Sequence, residues 1–242
     1  MDNLKPSNDF VFKKLFGTEK NKDILKDLLE AILPDIEIKN LQIKNDVPIE
    51  REMLTDKLGI LDILATLNDD TIVNIEMQIK NYYNTIERSI FYSSSEIHSS
   101  LSSGEAYENT LSTICIWITD YDVFTSGPYH ERALLRRDHE NIILTDKVQY
   151  HYIQLPKFKK KCKQISSKLE QWLKFILNDN MEEIRNMDND KIQKAEKELE
   201  LLNSDEETRE FARLREKAIR DEQAAIAHAR SEGIQTGIEQ RH

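Results

Sequence analysis

The chain predicts a mixed α/β domain, and three observations carry that prediction. Residues 58–80 alternate apolar and polar side chains like a two-stranded hairpin. Residues 20–33 and 84–102 repeat their apolar side chains at helical spacing. Residues 113–119 form a β-rich apolar run that follows the second of those helices. Strand, helix and strand in that order suggest a right-handed crossover.

The elements follow in order. Asn8 or Asp9 can cap a short first helix that stops at Gly17. The next helix, about 20–33, carries Ile24, Leu25, Leu28, Leu29 and Ile32 on one face and ends at Pro34. Residues 36–49 read as strand, because Ile36, Ile38, Leu41 and Ile43 alternate. The hairpin comes next, with strands at about 58–67 and 71–80 and a turn at Asn68-Asp69-Asp70. In the helix at 84–102, Ile86, Ile90, Ile97 and Leu101 form a stripe. Seven serines between Ser93 and Ser103 allow a flexible linker. Because the apolar stripe persists, a helix whose small-residue face lies close to a sheet is preferred. Two more strands are expected at 129–136 and 147–155.

The character changes near residue 164. Ser166 or Ser167 precedes the amphipathic run Leu169, Trp172, Leu173, Ile176 and Leu177, where Trp172 reads as core or a helix–helix contact. Ser204-Asp205-Glu206-Glu207 is a capping box before a polar helix at about 205–231. Its apolar stripe (Phe211, Leu214, Ala218, Ile219, Ile226) is sparse. Alone it is marginal, so it must pack on the core or on a second subunit. The expected division is 1–163 for the α/β domain and 164–242 for a helical carboxy-terminal region.

Composition excludes several classes. The longest apolar run, Ile114 to Ile118, is far too short to span a bilayer, so no membrane association is expected. Residues 1–6 hold no apolar signal core, and only Cys115 and Cys162 are present; a cytoplasmic location is the expectation. There is no Gly-rich phosphate loop, no His-Glu-x-x-His, no Cys-x-x-Cys and no Gly-x-Ser-x-Gly. The six histidines are scattered, with no pair at metal-ligand spacing.

A net charge of −10 counts against a nucleic-acid partner, and it is shared equally by residues 1–165 and 166–242. Phosphate contacts are local, however, and screened within roughly 8–10 Å. Lys157, Lys159, Lys160, Lys161 and Lys163 cluster around Phe158, and Arg132, Arg136 and Arg137 form a second group. Each is either a phosphate-binding patch or an ordinary solvated charge run.

The hairpin carries the chemistry. On its second strand Glu76, Gln78 and Lys80 share one face, since side chains two apart point the same way. A three-residue loop at 68–70 pairs Leu67 with Thr71 and sets Asp62 opposite Glu76; a two-residue loop sends Asp62 to the other face. Opposed residues have Cβ atoms roughly 4.5–5.5 Å apart. Two carboxylates so close repel unless a proton or cation lies between them, and hard oxygen ligands suit Mg²⁺ or Mn²⁺. Any half-exposed sheet can show such a polar face. Asp62, though, is flanked by Ile60, Leu61, Ile63 and Leu64, and buried acids are uncommon without a partner or metal.

The element Asp62 … Glu76-Met77-Gln78 matches the spacing of the PD-(D/E)XK nucleases. More of the chain resembles the bacterial Rpn group, the recombination-promoting nucleases also called PD-(D/E)XK nuclease family transposases. The matching parts, in order, are Asn8-Asp9-Phe10-Val11-Phe12-Lys13-Lys14-Leu15-Phe16-Gly17, then Asn74-Ile75-Glu76-Met77-Gln78, Arg88 with Tyr92, Gly104 and Tyr107, Leu155-Pro156-Lys157-Phe158, and the tail Ala229-Arg230-Ser231-Glu232-Gly233-Ile234-Gln235-Thr236-Gly237-Ile238, similar to a repetitive Glu-Gly-Ile ending. The resemblance implies an αβββαβ restriction-endonuclease-like core, a mixed sheet flanked by helices, with a helical carboxy-terminal extension. It also implies metal-dependent endonuclease activity on DNA, linked to recombination or mobile elements. Gln78 stands where most of the superfamily has Lys, and supplies a dipole in place of a charge.

Asp62, Glu76 and Gln78 are therefore the expected catalytic residues. Asp62 and Glu76 would hold Mg²⁺ or Mn²⁺, with the main-chain carbonyl of Met77 as a further ligand. Asp9 is either an additional acid or a helix cap. Lys80 either supplies the charge missing at Gln78 or is a solvated strand-end lysine. Arg88 and Tyr92, four apart on one helix face, either touch DNA or brace the site. Lys159, Lys160 and Lys161 are candidate DNA contacts. The alternative is an inactive member that binds DNA or a partner, or one that self-associates through the carboxy-terminal helices.

Overall fold

The computed structural model describes residues 3–44, 62–161, 164–178 and 181–239. Helix α1 (Asp9–Phe16) is capped by Asn8, whose side chain accepts from the amides of Phe10 and Val11, and it closes at Gly17. Asp9 is thus the first helical residue and not the cap. A short 3₁₀ turn at 19–21 leads into α2 (Lys22–Ile32), which buries the five apolar residues expected of it.

Strand β1 spans only Leu41–Ile43. The alternation at 36–40 does not make a strand because a side chain satisfies that backbone instead. Asn68 donates to the Glu37 carbonyl (2.8 Å) and accepts from the Lys39 and Asn40 amides. The expected strand residues 45–49 and 58–61 lie outside the described residues.

The hairpin comprises β2 (Ile63–Leu67) and β3 (Thr71–Gln78), paired antiparallel with Leu67 opposite Thr71. The loop is therefore the three-residue one. Asn68 and Asp69 take positive φ values of 51° and 65°, a conformation that Asn and Asp tolerate better than most side chains. Helix α3 (Thr85–Ser99) then crosses over to β4 (Ser112–Thr119), which runs parallel to β3. Strands β5 (His130–Arg136) and β6 (Ile143–Gln154) complete a six-stranded sheet of order β1-β2-β3-β4-β6-β5. Because β3, β4 and β6 are mutually parallel, their carboxy-terminal ends share one edge, where Gln78, Thr119 and Gln154 lie in register.

Two faces result. One carries Val73, Ile75, Met77, Ile114, Ile116, Ile118 and Ile153 into a large core with α1 and α2. The other carries Asn74, Glu76, Cys115, Trp117, Tyr150 and Tyr152 beneath α3. The helix meets that aromatic surface with Thr85, Ser89 and Ser93, the small-residue face favoured from the sequence. Ser89 and Ser93 hydrogen-bond the hydroxyls of Tyr152 (2.7 Å) and Tyr150 (2.8 Å). Ile86 and Ile90, expected to line the packed stripe, are exposed, because the bulky ring surface leaves room only for small side chains.

After α4 (Leu155–Lys161) come α5 (Lys168–Leu177), α6 (Met181–Arg185), α7 (Asp190–Ser204) and α8 (Glu206–Glu239). Ser167 and Glu170 form a capping box on α5. Helices α5 and α7 pack on α2, and Trp172, Leu173, Ile192, Leu199 and Ala212 join the same core as Phe16 and Leu25. The Trp172 indole donates to Asp27 of α2 at 2.9 Å and lies edge-on to Phe16.

Helix α8 starts one residue later than the capping box suggested. Asp205 accepts from the Thr208 amide, while Ser204 turns its hydroxyl back to Leu201. Its buried face is Thr208, Ala212, Arg215 and Ile219, whereas Leu214 and Ile226 of the expected stripe are exposed. No described helix is long and apolar enough to cross a membrane.

Candidate active site

The site lies near the carboxy-terminal end of β3, on the face beneath α3. Extending the hairpin register by one pair from Ile63–Ile75 sets Asp62 opposite Glu76. Asp62 accepts from the side-chain Nδ2 of Asn74 at 2.8 Å. Glu76 is 2% exposed. Its Oε1 takes an Arg88 N–H at 2.5 Å, and the other Arg88 terminal nitrogen donates to Gln78 Oε1 at 3.1 Å. Glu76 Oε2 is buried and has no hydrogen-bond partner.

Arg88 is fixed from α3 by rings. Its guanidinium lies 5.0 Å from the Trp117 ring and 5.7 Å from that of Tyr92, which stacks nearly parallel on Trp117 and accepts from Arg88 at 3.3 Å. Tyr82 closes the third side at 5.9 Å. Burial pushes the Glu76 carboxyl up to about 8; Arg88 opposes that shift, and the negative charges of Asp62 and Asp9 add to it. The Asp62 charge also helps, after burial, to raise Glu96, which stands two helical turns beyond Arg88 on α3.

The remaining candidates separate. Asp9 is held by Arg215 of α8 at 2.7 Å and by the Phe10 amide at 2.8 Å. Lys80 is buried just past β3 and pairs with Glu222 of α8 at 2.7 Å, so it is no solvated strand-end lysine. Tyr82 donates to the same Glu222 oxygen at 2.7 Å. Helix α4 starts at the same sheet edge, two strands from β3, or roughly 10 Å across. There Lys161 donates to the Gly127 carbonyl at 2.7 Å, Lys160 pairs with Asp122 at 3.7 Å and Lys159 is exposed. These three are not brought to the carboxylates.

Sequence reasoning missed Trp117, Tyr82, Glu96, Arg215 and Glu222. A signal existed for the last two, which extend the spacing of Thr208, Ala212 and Ile219. It missed a histidine pair as well. His130 Nε2 lies 2.9 Å from His151 Nδ1, far from this site in sequence and on neighbouring strands β5 and β6. The Cys115 thiol is buried, which pushes it up to about 12, so it is no nucleophile.

The family model of the PD-(D/E)XK nuclease family transposases matches residues 6–229. The chain belongs to this family. Neither a comparison with curated proteins nor one with solved structures gives a match. Among the described residues the element order α2-β1-β2-β3-α3-β4 is the αβββαβ order expected of a PD-(D/E)XK member.

Members of a PD-(D/E)XK family raise the question of a divalent cation, and the donor set can be tested for it. Among the described residues no group of three or more His, Cys, Asp or Glu side chains is arranged to hold a metal. A pair of opposed carboxylates is nonetheless what Mg²⁺ accepts, since it keeps several waters and takes one or two carboxylates. The buried, unpartnered Glu76 Oε2 beside Asp62 suits that role: an anionic oxygen there is costly without a cation or a proton.

Proposed function

We propose that this protein is a divalent-metal-dependent nuclease that hydrolyses phosphodiester bonds in DNA. The observation supporting it most directly is the opposition of Asp62 and Glu76 across the hairpin, with Glu76 Oε2 buried and unpartnered. Family membership supports the reaction class, and its transposase name supports a link to mobile elements or recombination.

In this reading Asp62 and Glu76 hold Mg²⁺ or Mn²⁺. When bound, the cation lowers the pKa of a water and neutralises charge building on the phosphoryl oxygens. The chain's own residues set the geometry. Arg88 grips Glu76 through Oε1, so Oε2 stays available. A guanidinium carries donors only, so Gln78 must offer it the amide oxygen. The two N–H donors of Gln78 then point away from Arg88, where they orient a water or a phosphate oxygen. Arg88 is thus a positioning residue, clamped by Tyr92 and Trp117.

The test is incubation of supercoiled plasmid with the protein and Mg²⁺ or Mn²⁺, beside Asp62→Ala and Glu76→Ala. Nicking that disappears in both variants, with unchanged circular dichroism, is expected. Equal cleavage by the variants, or none by the unaltered chain, overturns the proposal.

A further inference from the structure

We infer that Lys80 and Tyr82 form a binding site for a backbone phosphate of the substrate, and that Glu222 occupies it in the free protein. The inference rests on the nuclease reading for the source of the phosphate, but its geometry stands apart from Asp62 and Glu76.

Two donors converge on one anionic oxygen. Lys80 Nζ and the Tyr82 hydroxyl each lie 2.7 Å from Glu222 Oε2. That is how a protein holds one oxygen of an oxyanion, with a charge-assisted bond and a hydroxyl bond at once. The cradle is built into the fold. Lys80 is buried, and its ammonium lies over the Tyr82 ring at 4.5 Å. The same ring borders Arg88, which holds Glu76 and Gln78. The anion site and the guanidinium that holds Glu76 therefore border the same aromatic ring.

Glu222 is placed to give way. It comes from α8, 142 residues from Lys80, one turn past Ile219. Ile219 is the last buried residue of α8 among those described. Displacing Glu222 therefore leaves the packed part of the helix in place. Lys80 itself cannot be left alone, because a buried ammonium without a counter-charge is costly. Exchange of a carboxylate for a phosphate keeps it paired throughout. A groove of about 560 Å³, lined by Lys80, Asn81, Tyr83, Gln223, Ile226 and Arg230, opens beside the cradle and gives a nucleic-acid strand room to approach.

The experiment measures binding without cleavage. A fluorescent short DNA duplex is titrated with full-length protein in EDTA, at several salt concentrations, with melting temperatures recorded in parallel. Glu222→Gln and Glu222→Ala should each tighten binding roughly tenfold at low salt and steepen the salt slope by about 0.9, the share of one freed cation. Adding Lys80→Gln to either should return binding to the original level.

Unchanged or weaker binding in both Glu222 variants overturns the inference. So does unfolding of both, which makes Glu222 a structural strut. Cleavage by the unaltered chain in Mg²⁺ is scored separately. Tighter binding by the variants without any cleavage keeps the phosphate site and removes the nuclease reading. Cleavage without tighter binding does the reverse.

Discussion

Arg215 and Asp9, 206 residues apart, form a buried ion pair at 2.7 Å that ties the long last helix to the first turn of the first. Both side chains are about one-tenth exposed. Removing one partner leaves a buried charge uncompensated, which costs about 3–5 kcal/mol. Arg215→Ala should lose stability on that scale in urea denaturation. The double variant Arg215→Met/Asp9→Asn should lose much less, because neither charge is then stranded.

Arg88 addresses two acceptors at once with a planar fork, which a lysine ammonium cannot reproduce. Arg88→Lys should therefore keep the fold but lower kcat for plasmid nicking roughly tenfold to a hundredfold, the loss of one charge-assisted hydrogen bond of about 1.5–3 kcal/mol. KM should change little, since Arg88 positions Glu76 and Gln78. A change confined to KM places Arg88 on the substrate instead.

The histidine pair predicts acid lability. Burial holds His151 down to about 3, with His130 and Arg132 adding to it, and burial holds His130 below its usual value too. The unfolded chain takes up those protons near pH 6.5 while the folded chain resists. Stability is then full above about pH 6.5 and is lost as pH falls from there towards 3. For His151 alone the slope approaches about 1.4 kcal/mol per pH unit. His151→Gln should flatten the curve of unfolding free energy between pH 6.5 and 5 relative to the unaltered chain. Parallel curves count against it.

Trp172 tests how the carboxy-terminal helices are bound to the rest. Its indole fills the core beside Phe16 and hydrogen-bonds Asp27 of α2. Trp172→Phe should cost about 1–3 kcal/mol, from the lost bond to a charged acceptor that keeps Lys168 and Asn189 as partners, and Trp172→Ala about 3–5 kcal/mol. A chain cut after residue 163 loses Trp172, Leu173, Ile192 and Leu199 from the shared core. It should bind a hydrophobic dye and show a broad, weakly cooperative melt.

What was legible in the sequence was local and periodic. The hairpin register follows from a turn of three polar residues and a clean period of two, so Asp62 and Glu76 could be paired by counting. Trp172 could be placed in a core because its neighbours repeat at helical spacing. The failures have physical reasons. Residues 36–40 alternate like a strand, yet one asparagine from a distant turn satisfies their backbone. Ile86 and Ile90 look like a packed stripe, yet the aromatic surface beneath α3 admits only Thr85, Ser89 and Ser93. Arg215 and Glu222 extend the spacing of Thr208, Ala212 and Ile219, but nothing local shows that they face Asp9, Lys80 and Tyr82. His130 and His151 meet through the pairing of β5 with β6, which periodicity does not measure.

The loop of Asn68, Asp69 and Asp70 sets the phase of everything downstream in the hairpin. Its length matters more to the chemistry than its composition. One residue inserted there, with the turn keeping its three-residue form, slips the second arm by one position, so that the apolar side chain of Ile75 and not Glu76 stands opposite Asp62. Point changes should be survivable at Asp70, which carries neither the positive φ of its two neighbours nor the Asn68 bonds to the 37–40 backbone; a single-codon insertion should not.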